Sequence, residues 1–411
     1  MDNACPDEPA ERRSARSQPT GVPLIAFPPT PRLQSVATAV PPHDLPQDVV
    51  AIAARRVLGP RYPAFERLSA TFTTSGVERR QSVVPLEWFE RDQDWESRNR
   101  AYLDGASLLF EAAAERALDR AKWRAEDVDV VVTVSSTGIA TPTLEARASQ
   151  ALGFRPDVSR VPLFGLGCAG GVTGLSHAAS FARARPGARV LLVSVEACTL
   201  SFRADRLEKA DIIATVLFGD GAGAACISTD ADGPALGTGV EHTWPGTLDI
   251  MGWNVDRNAL GVVFDRSIPA FVSDHFQVAA ADALRASGIA RSDLVRPICH
   301  PGGAKVVQAI EGALGLEAGE LDIERDVLRN HGNMSAPTVL FVLERLLARE
   351  TLPDGPHVLA ALGPGFTASF LPIAREPAML RSHHDDVAKE GNPEDRKSSG
   401  VRMADRSHED A

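Results

Sequence analysis

Leu163-Phe164-Gly165-Leu166-Gly167-Cys168-Ala169-Gly170-Gly171 sets an apolar lead against a glycine-flanked cysteine. It reads as a strand ending in small residues, and the Val172–Ala182 stretch after it is helix-prone. That order lifts the Cys168 sulfur onto a tight turn at a helix N-terminus, where backbone N–H groups and the helix dipole favour thiolate over thiol. A chain builds a nucleophile this way. The same residues also suit a buried structural cysteine in a packed strand–helix corner, since free cysteines are among the most buried side chains.

Outward from this stretch, helices and buried strands alternate. Tyr102–Ala121 carries helical periodicity, with Leu103, Ala106, Leu109 and Phe110 on one face. Val128–Val134 and Arg189–Val195 are β-branched and apolar runs of the kind found in strands covered on both faces. Leu217–Ser228, with Phe218-Gly219-Asp220-Gly221-Ala222-Gly223, reads as a strand and tight turn leading into another strand. The later half repeats the theme: helices at Val272–Ser287, Ala304–Leu314 and Ala336–Arg349, a strand end at Val295–His300, and closing strands at Val358–Leu362 and Ala368–Ile373. The fold class is α/β, two αβ units with helices between and outside the sheets. Gly219–Gly223 holds only part of a GxGxxG fingerprint, with no helix obviously following, so a dinucleotide site is not favoured.

Residues 1–21 read as a disordered polar arm and 376–411 as a disordered tail. The His383-His384 pair in that tail lacks further ligands at useful spacing, so no metal site is expected. The 411 residues are 44% hydrophobic and 24% charged, an ordinary globular balance with room for sizeable cores. A net charge of −11 argues against nucleic-acid binding, while leaving room for a local basic patch facing a phosphorylated ligand. Cys5, Cys168, Cys198, Cys226 and Cys299 are scattered without a CxxC pair, which disfavours a disulfide framework or zinc site and fits a cytoplasmic location. No apolar run approaches a membrane span, and Met1–Arg16 lacks a signal-peptide core.

Two further stretches bear on Cys168. Ile298-Cys299-His300-Pro301-Gly302-Gly303 puts a histidine at a strand end, before residues that let the backbone turn and a ligand approach. His331-Gly332-Asn333-Met334-Ser335-Ala336-Pro337 puts an asparagine in a glycine turn before a helix. Alone, His300 suits a packed or exposed loop, and Asn333 a turn or helix cap. Together they supply the parts of cysteine acyl transfer: a thiolate, an imidazole to pair with it, and N–H groups for an oxyanion.

GCAGG, LFGDGAG, CHPGG, HGNMSAP and ALGPGF, in this order, resemble the type III polyketide synthases, the chalcone-synthase-like branch of the thiolase fold. The resemblance runs from about Ile25 to Ile373. It implies a duplicated αβαβα layered architecture, with residues 22–235 as the half carrying Cys168 and 236–375 as the half carrying His300 and Asn333. It further implies that Cys168 accepts the acyl group, that His300 activates it, and that Asn333 joins His300 in decarboxylation and oxyanion binding. Phe218 resembles a gatekeeper between CoA tunnel and reaction cavity. The second gatekeeper is either Phe264, the nearby phenylalanine, or Val262, reached by counting back from Pro269. Without the family, all three would read as core.

The implied substrates are an acyl-CoA starter and malonyl-CoA, with no other cofactor and no metal. The implied assembly is a homodimer. Ile250–Val255, Gly261–Phe264 and Ser267-Ile268-Pro269 resemble bacterial members that make alkylpyrones or alkylresorcinols. Thr137, Cys198 and Ser201 fall where long-chain-using relatives border an acyl tunnel, or serve only as packing. Arg67 and Lys305 are candidates for the CoA phosphates, or ordinary solvated residues. Ala64 stands where the plant pattern has lysine, so the grip on CoA must differ. A ketoacyl synthase III-like enzyme ranks second, its usual His-Gln-Ala-Asn and Gly-Asn-Thr-Ser contexts being absent. A catalytically silent thiolase-fold partner subunit ranks third, because such subunits tend to lose the nucleophile.

Overall fold

The computed structural model describes residues 29–62, 65–206, 208–348 and 352–375. The arm at 1–21, the tail at 376–411, Cys5 and Ala64 therefore lie outside the described residues.

The first half of the chain runs β1 (Arg32–Ala39), β2 (His43–Pro46), α1 (Gln47–Leu58), α2 (Phe65–Thr74), β3 (Arg79–Ser82), α3 (Trp95–Ala121), β4 (Val130–Val134), α4 (Leu144–Leu152) and β5 (Ser159–Leu163). It continues through α5 (Gly170–Ala184), β6 (Val190–Ala197), α6 (Lys209–Leu217) and β7 (Asp220–Ser228). The second half contains β8 (Ala235–Leu236), β9 (Val240–Thr243), β10 (Met251–Val255), β11 (Leu260–Phe264), α7 (Ile268–Ala286), β12 (Arg296–Cys299), α8 (Ala304–Leu314), α9 (Asp322–His331), α10 (Thr338–Ala348), β13 (Pro356–Gly363) and β14 (Thr367–Ala374).

The main sheet has the order β12-β13-β14-β8-β1-β7-β6-β4-β5, with β9 also on β14. Short β8 pairs with both β1 and β14, so the expected division between residues 235 and 236 falls inside the strand that joins the two half-sheets. Every residue of β4, β6, β7 and β13 is buried, as two-sided covering requires. Helices α5 and α10 fill the space between the half-sheets, sharing one core with residues from both. α10 (TVLFVLERLLA) is apolar on nearly all sides, the pattern of a helix wrapped by protein. α3 covers the outside of the first half-sheet, and α7 with α8 covers the second. Five layers, αβαβα, result, as expected.

α5 is rich in glycine and alanine because it is squeezed. A Cβ on Gly171 would stand 2.2 Å from the Ala336 carbonyl oxygen, so only glycine lets α5 meet the segment before α10. α3 starts at Trp95, seven residues before the periodic run read from sequence, because Asp94 caps it by accepting the Ser97 N–H at 2.8 Å.

One expected element is corrected. Leu217 ends a helix, α6, and does not begin a strand. Glu208 and Asp211 cap its start reciprocally, and Ile212, Ala214 and Val216 are buried along it. Phe218-Gly219 then turns the chain into β7.

Candidate active site

β5 ends at Leu163, and a single 3-10 turn, Gly167–Ala169, precedes α5. Gly167 has φ +48°, and a Cβ there would stand 2.6 Å from Pro364. The cysteine therefore sits on a tight turn at a helix N-terminus, as the sequence suggested. Cys168 is buried, at 9% exposure, and its Sγ lies 3.9 Å from Asn333 Oδ1.

Asn333 follows α9 and is buried. Its backbone N–H donates to the Leu217 carbonyl at 2.7 Å, and its carbonyl accepts from Gly219 N–H at 3.0 Å. In the side chain, Oδ1 accepts the Ser335 N–H at 2.8 Å and Nδ2 donates to the Gly302 carbonyl at 3.1 Å. An amide nitrogen carries two hydrogens, so one remains for a ligand. Ser335 has φ +61°, an uncommon conformation for a residue with a side chain, and it lines the cavity beside Cys168.

His300 leaves the end of β12, its backbone N–H donating to the Ala360 carbonyl at 2.8 Å. Its ring edge lies 3.7 Å from the Cβ position of Gly302, the residue whose carbonyl Asn333 binds. Both ring nitrogens are buried and have no protein partner among the described residues. Asn333 thus contacts Cys168 on one side and the turn after His300 on the other.

Burial sets the electrostatics of Cys168 and His300. Burial pushes the Cys168 thiol up to about 11, with Ser335 and Asn333 hydrogen bonds pulling against it and the nearby Glu196 charge adding to the rise. Burial alone holds the His300 imidazole down to about 3. Desolvation at Cys168 thus opposes the helix N-terminus, and burial of His300 works in the same direction, against charge on either group. A proton passed from sulfur to imidazole during attack would create both charges together, each offsetting the other.

The cavity at Cys168 is also lined by Cys198, Phe218, Val262 and Phe264, together with Met251, Trp253 and Pro364. Both candidates for the second gatekeeper therefore face it, from alternate positions of β11. The Phe218 ring meets Trp253 edge to face, centroids 6.2 Å apart. Cys198 and Phe218 also border an apolar chamber walled by Leu45, Val50, Ala53, Val57, Leu86 and Phe89. Ser201 lines that chamber but donates its hydroxyl to the Cys198 carbonyl at 2.7 Å. Thr137 and Ser201 line a neighbouring hollow with Trp253. Arg67 on α2 and Lys305 on α8 are both exposed, and neither lines these cavities.

Glu196, two residues before Cys198, is a residue beside the site that no motif reading assigned a role. It is fully buried, accepts the Ser136 N–H and receives the Thr137 hydroxyl at 2.7 Å. Burial raises its carboxyl to about 7. The signal was a lone glutamate inside the apolar run VLLVSVEA.

Residues 94–231 match the N-terminal domain of chalcone and stilbene synthases, and 236–374 match the C-terminal domain. The chain is 32% identical over 352 residues to a putative chalcone synthase of Bacillus subtilis (strain 168), covering 82% of this chain and 96% of the relative. It is 37% identical over 348 residues to 1,3,6,8-tetrahydroxynaphthalene synthase of Streptomyces peucetius subsp. caesius, covering 82% and 91%. The crystal structure of 1,3,6,8-tetrahydroxynaphthalene synthase from Streptomyces coelicolor A3(2), a bacterial type III polyketide synthase, superposes with a TM-score of 0.80 at 28% identity over 84% of this chain and 99% of that one. The chain belongs to the chalcone and stilbene synthase family and is a type III polyketide synthase of thiolase fold. It is an acyltransferase that works by decarboxylative Claisen condensation. The ketoacyl synthase III-like and silent-subunit readings give way to this one.

Proposed function

We propose that Cys168 takes an acyl group from a long-chain acyl-CoA and holds it through successive additions from malonyl-CoA, ending in an alkylpyrone or alkylresorcinol. In loading, a bond forms from Sγ to the acyl carbon and the CoA–sulfur bond breaks, while the thiol proton passes through His300 to the departing CoA thiolate. Malonyl-CoA then enters with its thioester oxygen facing His300 and the free hydrogen of Asn333 Nδ2. Those donors stabilise the enolate formed as CO2 leaves. The enolate carbon attacks the Cys168 thioester, releasing the sulfur, and the longer chain returns to it.

Phe218, with Val262 or Phe264, keeps the malonyl carboxylate in an apolar setting that favours its loss as neutral CO2. The observation that carries the long-chain reading is the apolar chamber opening beside Cys198 and Phe218. Each methylene buried there contributes about 0.8 kcal/mol. Ser201 is part of the chamber wall, and Thr137 lines the neighbouring hollow. Arg67 and Lys305 would meet the CoA phosphates, and no further cofactor or metal enters these steps.

We further propose a homodimer built on β5. This strand ends the main sheet, Ser159, Arg160 and Pro162 on it are exposed, and Phe164 just beyond is 63% exposed. Cys168, Cys198, Cys226 and Cys299 are all free, which supports a reducing, cytoplasmic setting. A product resembling tetrahydroxynaphthalene is the second reading, favoured by the 37% identical relative. Mass spectrometry of products from acetyl- to palmitoyl-CoA separates the two: alkyl-bearing pyrones or resorcinols support the first, and products without an alkyl chain support the second.

A further inference from the structure

We propose that Glu324 is a positioning residue whose carboxylate fixes the strand ending in His300 against the helix that delivers Asn333. The inference rests on the reading that His300 and Asn333 act together on the malonyl thioester.

β12 lies at the other end of the main sheet and, among the described residues, pairs on one side only, with β13. Successive N–H groups of a strand point to opposite sides. His300 N–H turns to β13, onto Ala360. Cys299 N–H therefore points outward, where no strand lies among the described residues, and it is buried. Glu324 Oε1 accepts it at 3.2 Å. The other carboxylate oxygen, Oε2, is held by Arg296, from the start of the same strand. Glu324 is 0% exposed, so it is not simply an acidic residue drawn to a helix N-terminus facing solvent.

Glu324 stands in the first turn of α9, and α9 runs to His331, two residues before Asn333. At the far end, Asn333 Nδ2 closes back onto Gly302, two residues after His300. Two contacts thus join the His300 strand and turn to the Asn333 helix and turn, and Glu324 makes the one remote from substrate. Without an acceptor, the buried Cys299 N–H would shift to find one and carry His300 with it.

The test is steady-state malonyl-CoA decarboxylation by the purified full chain. Glu324→Gln keeps an acceptor for Cys299 N–H and loses the charge. Glu324→Asp keeps the charge for Arg296 but withdraws the acceptor by one methylene. Both changes are small enough for the protein to fold, which a cooperative thermal transition verifies. Positioning predicts that Gln retains kcat within threefold, while Asp lowers kcat tenfold or more with KM within twofold. An Asp variant with unchanged kcat, or a Gln variant that falls as far as Asp, would overturn it. His300→Ala and Asn333→Ala are measured alongside. If those two decarboxylate normally, the assigned catalytic pair is wrong. If they fail while Glu324→Asp does not, only this inference is.

Discussion

Phe218 and Asn333, more than a hundred residues apart, are joined by a single parallel β-bridge. Asn333 N–H donates to Leu217 and Gly219 N–H donates to Asn333, at 2.7 and 3.0 Å. A proposed gatekeeper of the first half is thereby set in register with a proposed oxyanion donor of the second. The side-chain amide continues the tie to Gly302 at 3.1 Å. The site is built across the two halves, and its parts answer differently to substitution.

Asn333→Ala should lower malonyl-CoA decarboxylation by about a hundredfold, the usual effect of losing one oxyanion donor. Acylation of Cys168 by starter should stay within threefold. Rapid-quench measurement of both steps checks this, and equal losses would contradict the role assigned to the amide.

Cys198→Phe should close the chamber that Cys198 and Phe218 border. Turnover of lauroyl-CoA should fall at least tenfold, with acetyl-CoA turnover little changed. Competition between the two starters reads the ratio directly.

The β10–β11 hairpin, which lines the Cys168 cavity through Trp253, Val262 and Phe264, is pinned by Arg203, whose guanidinium reaches Asp256 at 2.7 Å and Asp205 at 2.6 Å. Asp256→Ala should loosen the hairpin while Asp205 keeps Arg203 paired, costing about 1 kcal/mol of stability. Water should then reach the acyl-enzyme, and the fraction of acyl groups released as free acid should rise severalfold. Chromatographic quantification of free acid against product tests it.

Glu196 predicts a pH signature. Its folded-state carboxyl is raised from 4.5 to about 7 by burial, so between those values the native protein binds more protons than the unfolded chain. Its contribution is therefore least unfavourable at low pH and worsens as pH rises from 4.5 to 7, by on the order of 3 kcal/mol in total. Glu196→Gln removes this titration. Urea melts at pH 5 and pH 8 should show the variant gaining on the wild-type protein at the higher pH; a constant gap would refute the burial argument.

Much of this was legible in the chain because strands covered on both faces announce themselves: VVVTV and VLLVSVEA need no partner to be recognised. Cys168 was legible through its glycines, and His300 and Asn333 through the turns that carry them. The desolvation that opposes the Cys168 thiolate was not legible, since a helix N-terminus is visible in sequence but burial is a property of the assembled core. The α6 helix was missed because its cap lies in Glu208 and Asp211, upstream of the motif that drew the reading toward a strand. Glu324 could not be found from sequence, because an edge strand's unpaired N–H exists only once β12 has a neighbour on one side and none on the other.

The most direct test is intact-protein and peptide mass spectrometry after incubation with lauroyl-CoA and malonyl-CoA, without any carrier protein. The account predicts an acyl adduct mapped to Cys168, chain-extended adducts at the same sulfur, and release of a cyclised polyketide, all lost in Cys168→Ala with the fold retained. An unmodified Cys168, or turnover that begins only when acyl carrier protein is supplied, would contradict it.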